Sequence, residues 1–140
     1  MIRSIIAVLG GIGLTSLLSE VLEFTLVNAA AGSRIASMAD YFAVRDRPAI
    51  AAGRLASTGL AAVLGGYMCA KVASEREMLH ATVAALVQTA ALVWGFTTGE
   101  YAAYTPVWLR VALVLTTGPA MVGGAAIRRG AREAGDAHIG

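Results

Sequence analysis

Between Ser4 and Ser19 the chain runs for 16 residues without one charged side chain, and three further stretches of similar character follow at 48–70, 79–99 and 106–127. A helix rises 1.5 Å per residue, so about 20 apolar residues cross the ~30 Å hydrocarbon core of a bilayer. The three later stretches meet that length. Glu20 and Glu23 interrupt the first run, but apolar residues resume at Phe24 and continue through Val27, giving a span over 4–27. Pro48 suits the first turn of the second span, where its missing N–H has no intrahelical bond to lose. Pro119, after Gly118, removes a donor inside the fourth and predicts a kink there.

Composition points the same way: 57% of residues are hydrophobic and 14% charged, where soluble domains carry about 25% charged residues. Four spans and their loops leave no room for a separate soluble domain in 140 residues. The expected fold class is therefore all-α, a four-helix transmembrane bundle over 1–129 with a short interfacial helix between spans one and two, and a disordered cytoplasmic tail at 130–140. The interfacial helix is predicted because Ile35, Met38, Ala39 and Phe42 share one helical face while Ser33, Ser37 and Asp40 lie opposite. Arg3, the apolar run and Ala29, Ala30 and Ala31 also imitate a signal peptide, whose removal would leave three spans. The two glutamates just before that site argue against cleavage.

Four crossings place both termini on one side. Arg3, Lys71, Arg76, Arg128, Arg129 and Arg132 fall on that side, whereas Arg34, Arg45 and Arg47 lie in the opposite connection and Arg54 and Arg110 fall within spans. Six basic residues against three favour cytoplasmic termini in a bacterial inner membrane. Phe24, Tyr41, Phe42, Trp94, Phe96, Tyr101, Tyr104 and Trp108 gather toward the other face, as an interfacial aromatic belt would.

Helix association in lipid has no hydrophobic drive, and small residues permit the close backbone approach that replaces it. In span two Gly53, Ser57, Ala61, Gly65, Cys69 and Ala73 recur at every fourth residue, with Ala62, Gly66 and Ala70 forming a strip beside them. Span four repeats the theme with Ala112, Thr116, Ala120 and Gly124. The matching ends, Gly65-Gly66 and Gly123-Gly124, suggest two helical hairpins of related design.

Glu20 and Glu23 are three residues apart on one helical face. Counted at 1.5 Å per residue, they sit about 6–10 Å below the outer helix ends, and Arg54 and Arg110 about 6–9 Å below theirs. An unpaired charge at such depth costs at least ~2.5–3.5 kcal/mol, so at least one of the acids is expected to meet Arg54 or Arg110 across a helix contact. This buried charge layer reads either as a structural clasp or as an ion or proton site. Gln88 is expected to hydrogen-bond across the bundle, and Glu100 to be a solvated loop residue.

Other chemistry finds little support. Gly11-x-Gly13-x-x-Ser16 lacks the third glycine and the alternating strands and helices of a dinucleotide site. His80 and His138 are too few and too far apart for a metal, Cys69 reads as a packing residue, and no serine or threonine has a credible base. The basic residues are scattered, unlike a nucleic-acid footprint. No cofactor, metal, nucleic-acid partner or enzymatic activity is expected.

With Gly65-Gly66-Tyr67, Gly123-Gly124, His80 opening span three and basic residues after span four, the layout resembles small bacterial four-span integral membrane proteins of uncharacterised activity. That likeness implies a membrane location. The four short spans, an acid in the first and Trp94-Gly95 in the third are similar to small multidrug-resistance transporters, which would imply proton coupling through Glu20 or Glu23. The leading expectation is a non-enzymatic accessory, scaffold or assembly partner docking through its small-residue seams against itself or another membrane protein. The alternative is a proton- or cation-coupled small-solute transporter working as a homodimer.

Overall fold

A computed structural model of the protein describes residues 2–73, 75–99 and 102–137. Glu100, Tyr101 and His138 lie outside the described residues, as does the tail beyond 137. Helices α1 (Ile2–Ala31), α2 (Met38–Arg45), α3 (Pro48–Ala73), α4 (Glu77–Thr98) and α5 (Val107–Ala137) are joined by short connections, the last of which contains a 3-10 turn at Ala102–Tyr104. The protein is an all-α bundle. Four of its helices, α1, α3, α4 and α5, are long and apolar enough to cross a membrane, and it is a multi-pass membrane protein.

Contacts between helix ends establish the alternating directions. Arg3 Nε donates to the Val72 carbonyl at 2.9 Å and Arg132 Nη1 to Glu77 at 2.7 Å, so the start of α1, the end of α3, the start of α4 and the end of α5 share one end of the bundle. This is the terminal end of the bundle. At the other end, Arg47 reaches the Ala30 carbonyl at 3.4 Å and Arg45 the Tyr104 carbonyl at 3.0 Å.

Each helix boundary has a local cause. Gly32, at φ +66°, takes the left-handed conformation that commonly terminates a helix and is cheap only without a Cβ. Ser37 caps α2: its hydroxyl accepts from the Asp40 N–H at 3.2 Å and donates to the Asp40 carboxylate at 2.8 Å. The interfacial segment is thus helical over Met38–Arg45, yet Phe42, Val44 and Arg45 are buried against the protein. The tail expectation needs correction. Helix α5 continues to Ala137 and is supported by the Arg129–Glu133 pair at 2.8 Å and by Arg132–Glu77. That polar surface is helical because i,i+4 pairing and a cross-helix contact replace the apolar period that the sequence lacks there.

Helix α3 is central and uses its two strips of small residues on two different neighbours. Toward α1, a Cβ on Gly65 would meet the Thr15 hydroxyl and stand 2.6 Å from the Gly11 carbonyl, while one on Gly11 would stand 2.8 Å from Cys69 Cβ. Gly53 faces Leu26 of α1, with 2.8 Å to Leu26 Cδ2. Toward α5, a Cβ on Gly66 would strike the Met121 carbonyl and one on Gly124 the Val63 carbonyl. The two glycine pairs that look alike in sequence therefore bring the parallel helices α3 and α5 into backbone contact. Ala61, Ala62, Cys69 and Ala70 are completely buried between them and the adjacent helices, whereas Ser57 is half-buried and returns its hydroxyl to the Arg54 carbonyl at 3.0 Å. Helix α5 remains helical through Pro119.

Gly123 and Gly124 separate packing from propensity. Gly123 has open space where a Cβ would stand, so Gly123→Ala should be neutral or stabilise by roughly 0.5–1 kcal/mol through helix propensity. Gly124→Ala should destabilise by about 1–3 kcal/mol through overpacking against backbone. Thermal unfolding of the two variants in detergent checks this, and equal melting temperatures would contradict the assigned contact.

Candidate polar chamber

The half of the bundle away from the termini is built differently. Glu23, on α1, is only 8% exposed and is the hub of a buried polar cluster. Its carboxylate pairs with Arg54 Nε of α3 at 2.5 Å and with Arg45 Nη1 of α2 at 3.9 Å, and accepts from the Tyr41 hydroxyl at 3.4 Å. Three side chains from two other helices, α2 and α3, thus converge on one acid of the first span.

Arg45 is as deeply placed, at 5% exposure. Its Nη2 donates to the Thr105 hydroxyl at 2.8 Å and the Tyr104 carbonyl at 3.0 Å, and its Nε pairs with Asp46 at 3.3 Å. The guanidinium lies 4.3 Å from the Phe42 ring centre, and Phe42 stacks on Tyr104 with centroids 4.7 Å apart. Helix α2 is consequently a cap clamped across α1, α3 and the turn before α5. Its clamp combines charge-assisted hydrogen bonds with cation–π and aromatic stacking.

Of the four residues placed in one layer by depth, Glu23 and Arg54 are joined directly. Arg110 is not part of the cluster: it folds back to donate Nε to the Thr105 carbonyl at 2.6 Å. Equal depth on two helices does not make their side chains neighbours, because the azimuth around each axis decides what a side chain faces. Among the described residues Glu20 enters no ion pair. Arg45 takes the place that depth assigned to Arg110. Its signal in the sequence is an arginine seven residues after Met38 and three after Phe42, on the apolar face of α2 rather than the polar one. Tyr41 flanks the same stripe.

Below this cluster the helices part around a chamber of about 200 Å³ lined from all four spans. Its polar wall includes Thr15, Ser16, Ser19, Thr58, Gln88 and Thr117, together with Glu20, Glu23 and Arg54. Gln88 exchanges hydrogen bonds of 3.4–3.5 Å with the Ser16 hydroxyl, linking α4 to α1. Thr15 and Thr117 donate to the carbonyls of Gly11 and Leu113 at 2.9 and 2.7 Å, so their remaining capacity toward the chamber is that of acceptors. Among the described residues Arg54 Nη1 and Ser19 Oγ are buried without a hydrogen-bond partner.

A second cavity of about 330 Å³ continues toward the capped end, and the two share Glu20, Arg54, Ala91, Leu92 and Phe96. Glu20 stands at this shared neck. Thr15 lies eight residues from Glu23, about 12 Å along α1, and immediately beyond it the glycine contacts of Gly11, Gly65, Gly66 and Gly124 bring the backbones together. The chamber is therefore a blind polar recess, closed at its floor by the close-packed terminal half.

Comparisons with protein-family models, with curated proteins and with solved structures returned no match.

The clasp and the recess make different demands on the two glutamates. Glu23→Gln leaves two buried guanidinium groups without their common anion and should cost about 3–5 kcal/mol, as breaking a buried pair does. Glu20→Gln, at an exposed position with no ion partner among the described residues, should change stability by less than about 1 kcal/mol. Denaturation of each variant in mixed micelles, followed by circular dichroism, measures the difference.

Tyr41, in the capping helix, provides a pH test. Burial, then the Glu23 charge and the hydrogen bond to it, push its phenol up from the ordinary 10.0 to about 12. A raised folded value means the contribution to stability is complete below pH 10.0 and is lost as pH rises toward about 12. Ultraviolet phenolate titration should show that highest-pH phase disappear in Tyr41→Phe and move downward in Glu23→Gln.

Proposed function

We propose that this chain is a non-enzymatic membrane protein whose blind recess binds protons and small monovalent cations in turn and exchanges one for the other across the membrane. The supporting observation is a recess lined by hydroxyl, amide and carboxylate groups inside an otherwise apolar bundle, with Glu20 at its neck. Polar walls within hydrocarbon carry an insertion cost that packing alone does not require, and ionisable groups there are by default functional. Glu23 is neutralised by Arg54 and Arg45, which leaves Glu20 as the exchangeable charge. Hard oxygen donors suit a proton or alkali cation better than a soft metal.

The distribution of arginines favours cytoplasmic termini in a bacterial inner membrane, so the recess would open away from the cytoplasm. Access from the cytoplasmic side would require the glycine-packed half to separate. One chain supplies the whole recess, which argues for a working unit that needs no second copy to complete it. The small-residue seams that suggested a docking scaffold are occupied within the chain, by α1 on one side of α3 and α5 on the other.

Vesicles reconstituted with the purified protein and loaded with a pH-sensitive dye test this reading. An imposed sodium or potassium gradient should drive a change in internal pH that Glu20→Gln abolishes while its helicity and elution volume stay unchanged. Vesicles that behave like protein-free ones under both gradients, or an unaltered flux in Glu20→Gln, would overturn it and restore the scaffold reading.

A further inference from the structure

A different feature lies at the terminal end, on the lipid-facing seam between α1 and α4. An apolar groove of about 410 Å³ is lined by Ile5, Val8 and Leu9 of α1 and Leu79 and Val83 of α4. Directly above it is a polar pocket of about 430 Å³ lined by Arg3, Arg76, His80 and Glu75, and the two share Ser4, Leu79 and His80. One continuous surface thus passes from hydrocarbon-like to cationic within two helical turns.

The head of this surface is organised for an anion. Arg3 is held in place by its Nε bond to the Val72 carbonyl at 2.9 Å, which leaves the remaining guanidinium donors to turn toward the pocket. Arg76 sits in the left-handed conformation at φ 49°, opens α4 without a side-chain cap and lines the same pocket. His80 Nδ1 lies 3.1 Å from the Arg76 carbonyl. A carbonyl only accepts, so Nδ1 carries the hydrogen in that contact, and His80 is held against the first turn of α4. Among the described residues, two guanidinium groups against one carboxylate give a cationic surplus.

The neighbouring cavity between α4 and α5 lacks that surplus. There Arg76, Arg129 and Arg132 face Glu75, Glu77 and Glu133, so the charges balance. The adjoining apolar groove also belongs to the α1–α4 side.

We propose that the α1–α4 seam binds one anionic phospholipid, its phosphate held by Arg3 and Arg76 and an acyl chain laid along Ile5, Val8, Leu9, Leu79 and Val83. The occupant is an anionic lipid and not a soluble phosphate because the apolar groove is continuous with the cationic pocket through shared residues. A zwitterionic lipid fills the groove equally well but does not complement the charge.

Native mass spectrometry of the full chain, with phosphatidylglycerol and phosphatidylcholine of identical acyl chains titrated in detergent, tests the site. Two interfacial arginines correspond to a preference of about 30-fold for the anionic lipid. Arg3→Gln/Arg76→Gln should reduce phosphatidylglycerol retention to that of phosphatidylcholine. Val83→Trp, which fills the groove with both arginines intact, should lower retention of both lipids. Glycerol phosphate should fail to compete.

Equal retention of the two lipids by the unaltered chain would overturn the proposal, as would unchanged retention in either variant. Competition by glycerol phosphate would assign the pocket to a soluble anion instead. An equal loss in Arg129→Gln/Arg132→Gln would make the preference a general charge effect and remove the site.

Discussion

In a bilayer, two helices gain nothing by hiding apolar side chains from each other, since lipid is as apolar as leucine; what holds them is close contact between backbones. This constraint governs the bundle through α3. Its adjacent glycines, Gly65 and Gly66, point to opposite neighbours, one receiving α1 at Gly11 and Thr15 and the other receiving α5 at Met121. Three helices are thereby drawn together in the terminal half. At the level of Ser16 and Gln88, α4 is joined to α1 by long hydrogen bonds, and its close approach is to α5 instead, where a Cβ on Gly118 would stand 3.0 Å from Thr89 Oγ1. The recess occupies the space where the close contact ends.

The charge cluster solves a second problem created by the first. With α1 and α3 fixed by their glycines, Glu23 and Arg54 meet at 2.5 Å. Sealing that pair from the interface falls to α2, which brings Arg45, Tyr41 and Phe42 onto it. A buried ion pair by itself is weak evidence for stability. This one is embedded in further hydrogen bonds to Thr105 and Tyr104, so its role is positional: it sets which face of α2 lies down on the bundle. Glu20, one turn below on the same helix, is left outside the pairing and next to both cavities.

The two ends of the molecule also differ in what they present to lipid. At the capped end Phe24, Trp94 and Trp108 are exposed, with Trp94 at 71%, as expected for aromatic side chains at a headgroup level. At the terminal end the exposed groups include Arg3, Lys71 and Arg76, beside the uncapped start of α4. The molecule is therefore polarised along its axis, with a polar interior and aromatic rim at one end and a close-packed interior and cationic rim at the other.

Uninterrupted apolar length was enough to read the four spans, because the ~30 Å thickness of the hydrocarbon core sets a minimum run that chance seldom supplies. Small residues at every fourth position likewise announced that α3 is a packing helix, and the depth of Glu23 and Arg54 could be counted along their helices. What could not be counted was direction around the axis. The choice of Arg45 over Arg110 and the separate fates of Glu20 and Glu23 both depend on it. So do the division of two glycine strips between two partners and the helical course of 130–137. Distance along a helix is a property of the chain, whereas the facing of side chains across helices exists only once the neighbours are in place.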